Sequence, residues 1–208
     1  MVDAATALSA ADPVLGRLIT ALGDPELPAR RPDRPDGGEH YAALVRTIAG
    51  QQLSVRAAQA VWRKLLDRFD GRAPTPEEVL ASDAEELRAA AGLSRAKVSY
   101  LRSLAEHVVT GELELDRLNE LPDDDVIAEL TGVKGLGEWS AHMFLMFQLE
   151  RPDILATGDL GIRRAVELAY GLPGLPKPAE LTELAEAWRP HRSAACRYLW
   201  RSLDATPA

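Results

Sequence analysis

The stretch TGVKGLGEWSAHMF, residues 131–144, sets the fold and the first functional question. Upstream, residues 123–130 carry acids and then an apolar run that reads as a helix ending near Leu130, with Asp123 expected to cap it. Downstream, Trp139 to Phe144 starts a second apolar helix. Between them stand Gly132, Gly135 and Gly137, which supply positive φ or let another group come close to the backbone. Residues 123–149 therefore read as helix, tight turn, helix. A glycine-lined turn that opens onto a helix N-terminus presents unpaired N–H groups and the positive end of the helix dipole, which together attract an anion such as phosphate. Lys134, in the turn, adds one charged contact. A plain helix–helix connection, with glycines as C-cap and spacer, would produce the same spacing.

Helical periodicity continues in both directions. Thr75-Pro76-Glu77-Glu78 has the pattern of an N-cap, a proline at the first helical position and a capping-box glutamate, and Ser82 with Glu85 repeats the box. Ala58, Val61, Trp62 and Leu65 recur at helical spacing, as do Leu181, Leu184, Ala185 and Trp188, and Cys196, Leu199, Trp200 and Leu203. Ser94 is placed to cap a helix with the stripe Val98, Leu101, Leu104, Ala105 and Val108. No alternating strand stands out, so an all-α fold is expected. Residues 24–40, rich in proline, glycine and charge, read as a loop, and 171–178 (GLPGLPKP) as a second break.

Of the 208 residues, 46% are hydrophobic and 27% charged, which suits a globular chain with an ample core. No apolar run approaches a membrane span, and the N-terminus lacks a basic n-region, so a cytoplasmic location is expected. A single cysteine, Cys196, rules out an internal disulfide and a four-cysteine iron–sulfur cluster. The net charge of −8 argues at first against a nucleic-acid partner. However, residues 112–130 hold eight acids against one base, so one acidic segment carries most of the imbalance.

Further motifs accompany the hairpin. LTGVKGLGEWSAHMF is followed by RPDILATGDLGIRRAV, preceded by LVRTIAGQQLSVRAAQAVW and GLSRAKVSYLRSLA, and trailed by WRPHRSAACRYLW. In this order and spacing they resemble the helix-hairpin-helix (HhH-GPD) DNA glycosylase superfamily, most closely its bacterial 3-methyladenine DNA glycosylase II branch, over roughly residues 41–203. The resemblance implies two helical lobes, with the hairpin and Asp159 lining the cleft between them. It also implies a glycosylase domain over 41–208 that contains the hairpin 123–149, with residues 1–40 forming an N-terminal helical and turn-rich segment packed on it. Some relatives carry a β-rich N-terminal domain, and the turn-rich start of this chain leads one to expect none here.

The residue roles follow by position. The N–H groups of Gly135, Gly137 and Ser140 would hold phosphate oxygens, with Lys134 beside them. The carbonyls of Thr131, Val133 and Leu136 would hold a sodium, potassium or magnesium ion with a structural role, and the chemistry itself would need no cofactor. Gln51 and Gln52 stand at the position that wedges into the duplex, and either one fits. Trp139, Trp200, Met143 and Leu160 match pocket positions, the last two replacing aromatic residues of some relatives. Such faces suit electron-poor alkylated purines. Asp159 matches the catalytic aspartate, although an N-cap alone would explain a carboxylate after Gly158. A fixed anion there would stabilise the positive charge that builds on the sugar as an N-glycosidic bond breaks.

In strand-cutting relatives a lysine nucleophile stands where this chain has Trp139, so base removal without strand cleavage is expected. The resulting picture is a monomeric, nucleoid-associated bacterial enzyme of base-excision repair. It would remove bases of the 3-methyladenine and 7-methylguanine type from double-stranded DNA, with no membrane partner. A glycosylase of other base specificity, and a non-catalytic module that binds damaged DNA through its hairpin, remain alternatives.

Overall fold

The computed structural model describes residues 3–23 and 40–204. The expected loop at 24–40 lies outside the described residues except for His40, which opens a helix. Among the described residues there are twelve α-helices and no strand, as the all-α reading expects. In chain order they are α1 (Ala4–Ala11), α2 (Pro13–Leu22), α3 (His40–Gly50), α4 (Val55–Arg68), α5 (Pro76–Ala81), α6 (Ala84–Ala91) and α7 (Arg95–Val109). Then come α8 (Asp123–Gly132), α9 (Glu138–Phe147), α10 (Leu160–Tyr170), α11 (Pro178–Leu184) and α12 (Arg192–Asp204). Short 3₁₀ turns occupy Leu115–Asn119 and Ala185–Trp188.

Local chemistry accounts for most helix starts. Thr75 and Glu78 form the expected capping box ahead of α5, with Pro76 at the first position. Ser94 caps α7, accepting from the Lys97 N–H at 3.2 Å. Two caps differ from expectation. Asp83, not Ser82, caps α6, accepting from the amides of Glu85 and Glu86, and Ser82 instead ends α5. A carboxylate two and three residues from these amides reaches both of them, whereas the Ser82 hydroxyl turns back to the Glu78 carbonyl at 2.7 Å. Asp123 lies inside α8 and is preceded by Pro122, which has no side chain to cap with. Asp123, Asp124 and Asp125 instead place three carboxylates in the first turn, where the helix dipole favours them.

The chain divides into two compact units, Met1–Arg34 with Leu145–Ala208, and Pro35–Phe144. Helices α1 and α2 thus group with the C-terminal helices. Asp12 supplies a physical reason. Its Oδ1 caps α2 through Val14 N–H (2.8 Å) and Leu15 N–H (3.2 Å), while Oδ2 accepts from Tyr170 Oη (2.5 Å) and Trp188 Nε1 (2.9 Å). Burial alone would raise the Asp12 pKa, but these hydrogen bonds outweigh it and hold the carboxyl below its usual range. Around this polar knot Leu8, Leu15, Val166, Leu181, Ala185, Trp188 and Leu199 are fully buried. Each large apolar side chain removed from water contributes about 1.5–3 kcal/mol.

The second unit packs α5 and α6 on α7, α4 on α3 and α6, and α3 on α7. Its core includes Leu44, Ile48, Leu65, Leu87, Leu101, Leu104, Val126 and Leu130. Trp62 and Trp188 are core residues, as the periodicity predicts. Tyr41 is half-buried, with its hydroxyl buried and without a hydrogen-bond partner among the described residues.

Candidate active site

The hairpin is built from two buried plugs and one glycine at positive φ. After α8 ends, the Val133 N–H donates to the Leu130 carbonyl (3.2 Å) and the Leu136 N–H to the Val133 carbonyl (3.0 Å). The Val133 and Leu136 side chains are buried and anchor the turn. Of the three turn glycines only Gly135 has positive φ, at +92°. A Cβ on Gly135 would lie 2.1 Å from Tyr100 Cγ, so the tyrosine ring of α7 presses flat against the turn. No larger residue fits there. Gly137 faces open space and leaves the backbone approachable.

The Gly137 carbonyl receives the Ala141 N–H at 3.1 Å, so Gly137 stands just ahead of α9, whose first-turn amides have no helical acceptor. The N–H groups of Gly135 and Gly137 have no backbone acceptor among the described residues. The turn therefore offers a run of amides suited to an anion. The Lys134 ammonium leans back to Ser99 Oγ at 3.3 Å. Glu138, largely exposed, sets a negative charge in the first turn of α9, 3.8 Å from His142 Nε2. His142 is buried, and its burial depresses its pKa more than Glu138 raises it.

Gln51 and Gln52 separate clearly. Gln51 Nε2 donates to the Gly135 carbonyl at 2.8 Å, tying the α3–α4 turn to the hairpin. Gln52 is exposed with φ +58°, beside the exposed Leu53 and Val55. Trp139 is 43% exposed, and Met143, one turn on, is half-buried.

In the other unit, Asp159 caps α10 and its Oδ1 accepts two hydrogen bonds, from Ile162 N–H at 2.8 Å and from Trp200 Nε1 at 2.9 Å. The Trp200 ring stacks on Phe147 at 5.9 Å, and the Arg197 guanidinium lies over the Phe147 ring, 5.1 Å from its centroid. Leu160, next to Asp159, is 64% exposed.

One face of α12 aligns the whole segment. Ser193 Oγ accepts from Ile154 N–H (2.9 Å) and donates to the Arg151 carbonyl (2.6 Å). Cys196 Sγ lies 3.8 Å from the Ile154 carbonyl, and Trp200 closes on Asp159. Asp153 receives Arg192 and Arg189. Ser193, Asp153 and Gly161 are contributors that pattern reading missed. A Cβ on Gly161 would meet Asp159 Oδ1 at 3.0 Å and Trp200 Cδ1 at 3.2 Å, so only glycine allows this approach without displacement. The spacing of 193, 196 and 200 on one helical face is the signal that links the first of them to Trp200.

Other basic residues near this segment are internally engaged. Arg163 donates to the Pro176 carbonyl, Arg164 pairs with Glu167, and Arg189 and Arg192 serve Asp153. No group of three or more His, Cys, Asp or Glu suited to a metal occurs among the described residues. No helix of the described residues is long and apolar enough to cross a membrane.

Comparison with known proteins places these features in context. The HhH-GPD superfamily of base excision DNA repair proteins matches residues 45–190. DNA-3-methyladenine glycosylase 1 of Schizosaccharomyces pombe is 34% identical over 198 residues, covering 94% of this chain and 84% of that protein. DNA-3-methyladenine glycosylase 2 of Escherichia coli is 27% identical over 167 residues, covering 75% of this chain and 55% of that longer protein. Among solved structures, the S. pombe 3-methyladenine DNA glycosylase in complex with abasic DNA superposes with a TM-score of 0.86 at 33% identity, covering 98% of this chain and 97% of that one.

Proposed function

Because the chain belongs to the HhH-GPD superfamily of base excision DNA repair proteins, we propose that it excises alkylated purines, of the 3-methyladenine and 7-methylguanine type, from duplex DNA. The observation that carries this reading is the Asp159 carboxylate, held at the start of α10 by one backbone amide and one indole N–H. Two donors on one oxygen fix the orientation of the group, and an oriented anion is what an oxocarbenium-like transition state requires. The C1′–N bond breaks with its electron pair leaving on the base. Water adds to C1′, and its proton passes to Asp159 or to solvent. A cationic alkylated purine departs as a neutral base, so this step needs no general acid at the leaving group.

The hairpin is the proposed phosphate contact. Support comes from Gly135, Gly137 and the first-turn amide of Ser140, whose N–H groups bind an anion without side-chain charge. This suits a chain of net charge −8. A hard cation, sodium, potassium or magnesium, held by the carbonyls of Thr131, Val133 and Leu136 is part of the same proposal. The Val133 carbonyl already accepts the Leu136 N–H, but a carbonyl oxygen has a second lone pair to offer. Such an ion would offset the negative ends of carbonyls set near a phosphate.

Base removal without strand cleavage is also proposed. Trp139 has no amine to form a Schiff base, and the Lys134 ammonium is directed to Ser99. The test is base release from methylated duplex DNA, read by mass spectrometry, with a parallel gel for strand breaks. Asp159→Asn is expected to abolish release while duplex binding persists. Retained release by this variant would remove Asp159 from its role, and strand cleavage by the wild-type protein would overturn the monofunctional reading.

A further inference from the structure

Helix α7 touches both the end of α3 that leads into Gln51 and the hairpin turn that the proposed function uses. The Lys97 ammonium donates to the Ala49 carbonyl at 2.8 Å, next to the last residue of α3, and burial lowers its pKa. One turn along, the Tyr100 ring packs against Gly135 and Ser99 meets Lys134. The end of α3 that leads into Gln51 and the hairpin turn are thus both seated on one helix. Gln51 joins them directly, because its carboxamide N–H reaches the Gly135 carbonyl at 2.8 Å. A half-buried side chain committed to a backbone carbonyl is poorly placed to enter DNA. The next residue has the opposite character. Gln52 is exposed in left-handed backbone, a conformation disfavoured for a side chain with Cβ, flanked by the exposed Leu53.

We propose that Gln51 is a positioning residue. Its bond to Gly135 sets the distance between the loop at 51–54 and the hairpin, so that Gln52 enters the gap left by an extruded nucleotide while the turn holds the backbone. This inference rests on the glycosylase reading, since it presumes that a nucleotide is extruded. Extrusion costs a few kcal/mol, and a wedge repays this cost only when it meets the duplex in register with the phosphate grip. Loss of the tether would leave each loop intact but their separation variable.

The test is a double-mutant cycle on single-turnover base release from a lesion duplex, with 2-aminopurine fluorescence beside the lesion as the readout of extrusion. Gln51→Ala is expected to lower both signals about 3- to 10-fold, the range for one lost hydrogen bond. Affinity for undamaged duplex should stay within about twofold, since the hairpin amides are untouched. Gln51→Glu, which keeps the shape but sets an acceptor against the carbonyl, should lose at least as much. The deciding result is the Gln51→Ala/Gln52→Ala double variant. If Gln51 acts by placing Gln52, the double variant is no worse than Gln52→Ala alone. Losses that multiply would mean that Gln51 makes its own contact, and the proposal falls. A wild-type rate for Gln51→Glu would also overturn it. If Gln52→Ala alone keeps full activity, the wedge itself is elsewhere and the tether loses its purpose. In that case base release by the wild-type protein still upholds the glycosylase reading.

Discussion

Trp200→Phe isolates the link between Asp159 and α12. The substitution removes one N–H donor and keeps an aromatic ring to stack on Phe147, which lies 5.9 Å away at an interplanar angle of 29°. What is lost is the 2.9 Å bond to Asp159 Oδ1, and the Ile162 N–H remains to cap α10. A hydrogen bond to a charged group is worth about 1.5–3 kcal/mol. If that energy orients the carboxylate for the transition state, the single-turnover rate should fall by roughly 10- to 150-fold, at about 1.4 kcal/mol per tenfold. Stability should fall by only about 1 kcal/mol, because the cap and the apolar contacts persist. The assay is single-turnover base release with enzyme in excess, beside duplex affinity and a thermal melt. Gly161→Ala approaches the same contact from the other side. Its methyl would sit 3.0 Å from Asp159 Oδ1 and 3.3 Å from Trp200 Nε1, so one of the two must shift by a few tenths of an ångström. Its rate should lie between those of wild type and Trp200→Phe. A wild-type rate for Trp200→Phe, or a loss that appears wholly in binding, would refute the claim that this bond orients Asp159.

Three further outcomes are expected. Gly135→Ala sets a methyl against Tyr100 at +92° φ, and the backbone cost alone is about 1–2 kcal/mol; a lower melting temperature together with weaker duplex binding by fluorescence anisotropy is the expected result. Removing the exposed charge of Glu138 at the start of α9 by Glu138→Gln should tighten duplex binding about threefold in low salt, with the gain gone near 0.5 M salt, because two exposed like charges at a separation of about 7 Å repel by roughly 0.6 kcal/mol in water. His40 and His142 both have pKa values lowered by burial from 6.5, so the unfolded chain binds protons that the folded chain refuses; stability should be flat above about pH 7 and fall as pH drops below about 6.5, and a melting temperature unchanged between pH 7 and 5 would contradict this.

The local elements were legible because local forces make them. Thr75-Pro76-Glu77-Glu78 forms its capping box within four residues, and of the stripe Val98, Leu101, Leu104, Ala105 and Val108 the first four are buried, with Val108 half-buried at its end. Two caps came out otherwise: Asp83 displaced Ser82 at α6 because its carboxylate reaches two amides, and α8 took in Asp123 with no side-chain cap ahead of it. Where α1 and α2 pack was not legible for a different reason. Asp12 meets Tyr170 and Trp188 across more than 150 residues of sequence, and no periodicity records such a pairing.

By itself, the sequence determined an all-helical chain, a glycine turn leading into a helix and a carboxylate at the start of another, because helix periodicity and caps are encoded within a few residues. The tertiary structure alone decided which glycine of the hairpin turn is irreplaceable, since of the three only Gly135 meets Tyr100. It also decided which glutamine is tethered to the hairpin, and that Trp200 holds Asp159 across the face of α12 shared with Ser193. Those are contacts between residues 35 to 84 positions apart, set by how helices pack and not by what any one segment prefers.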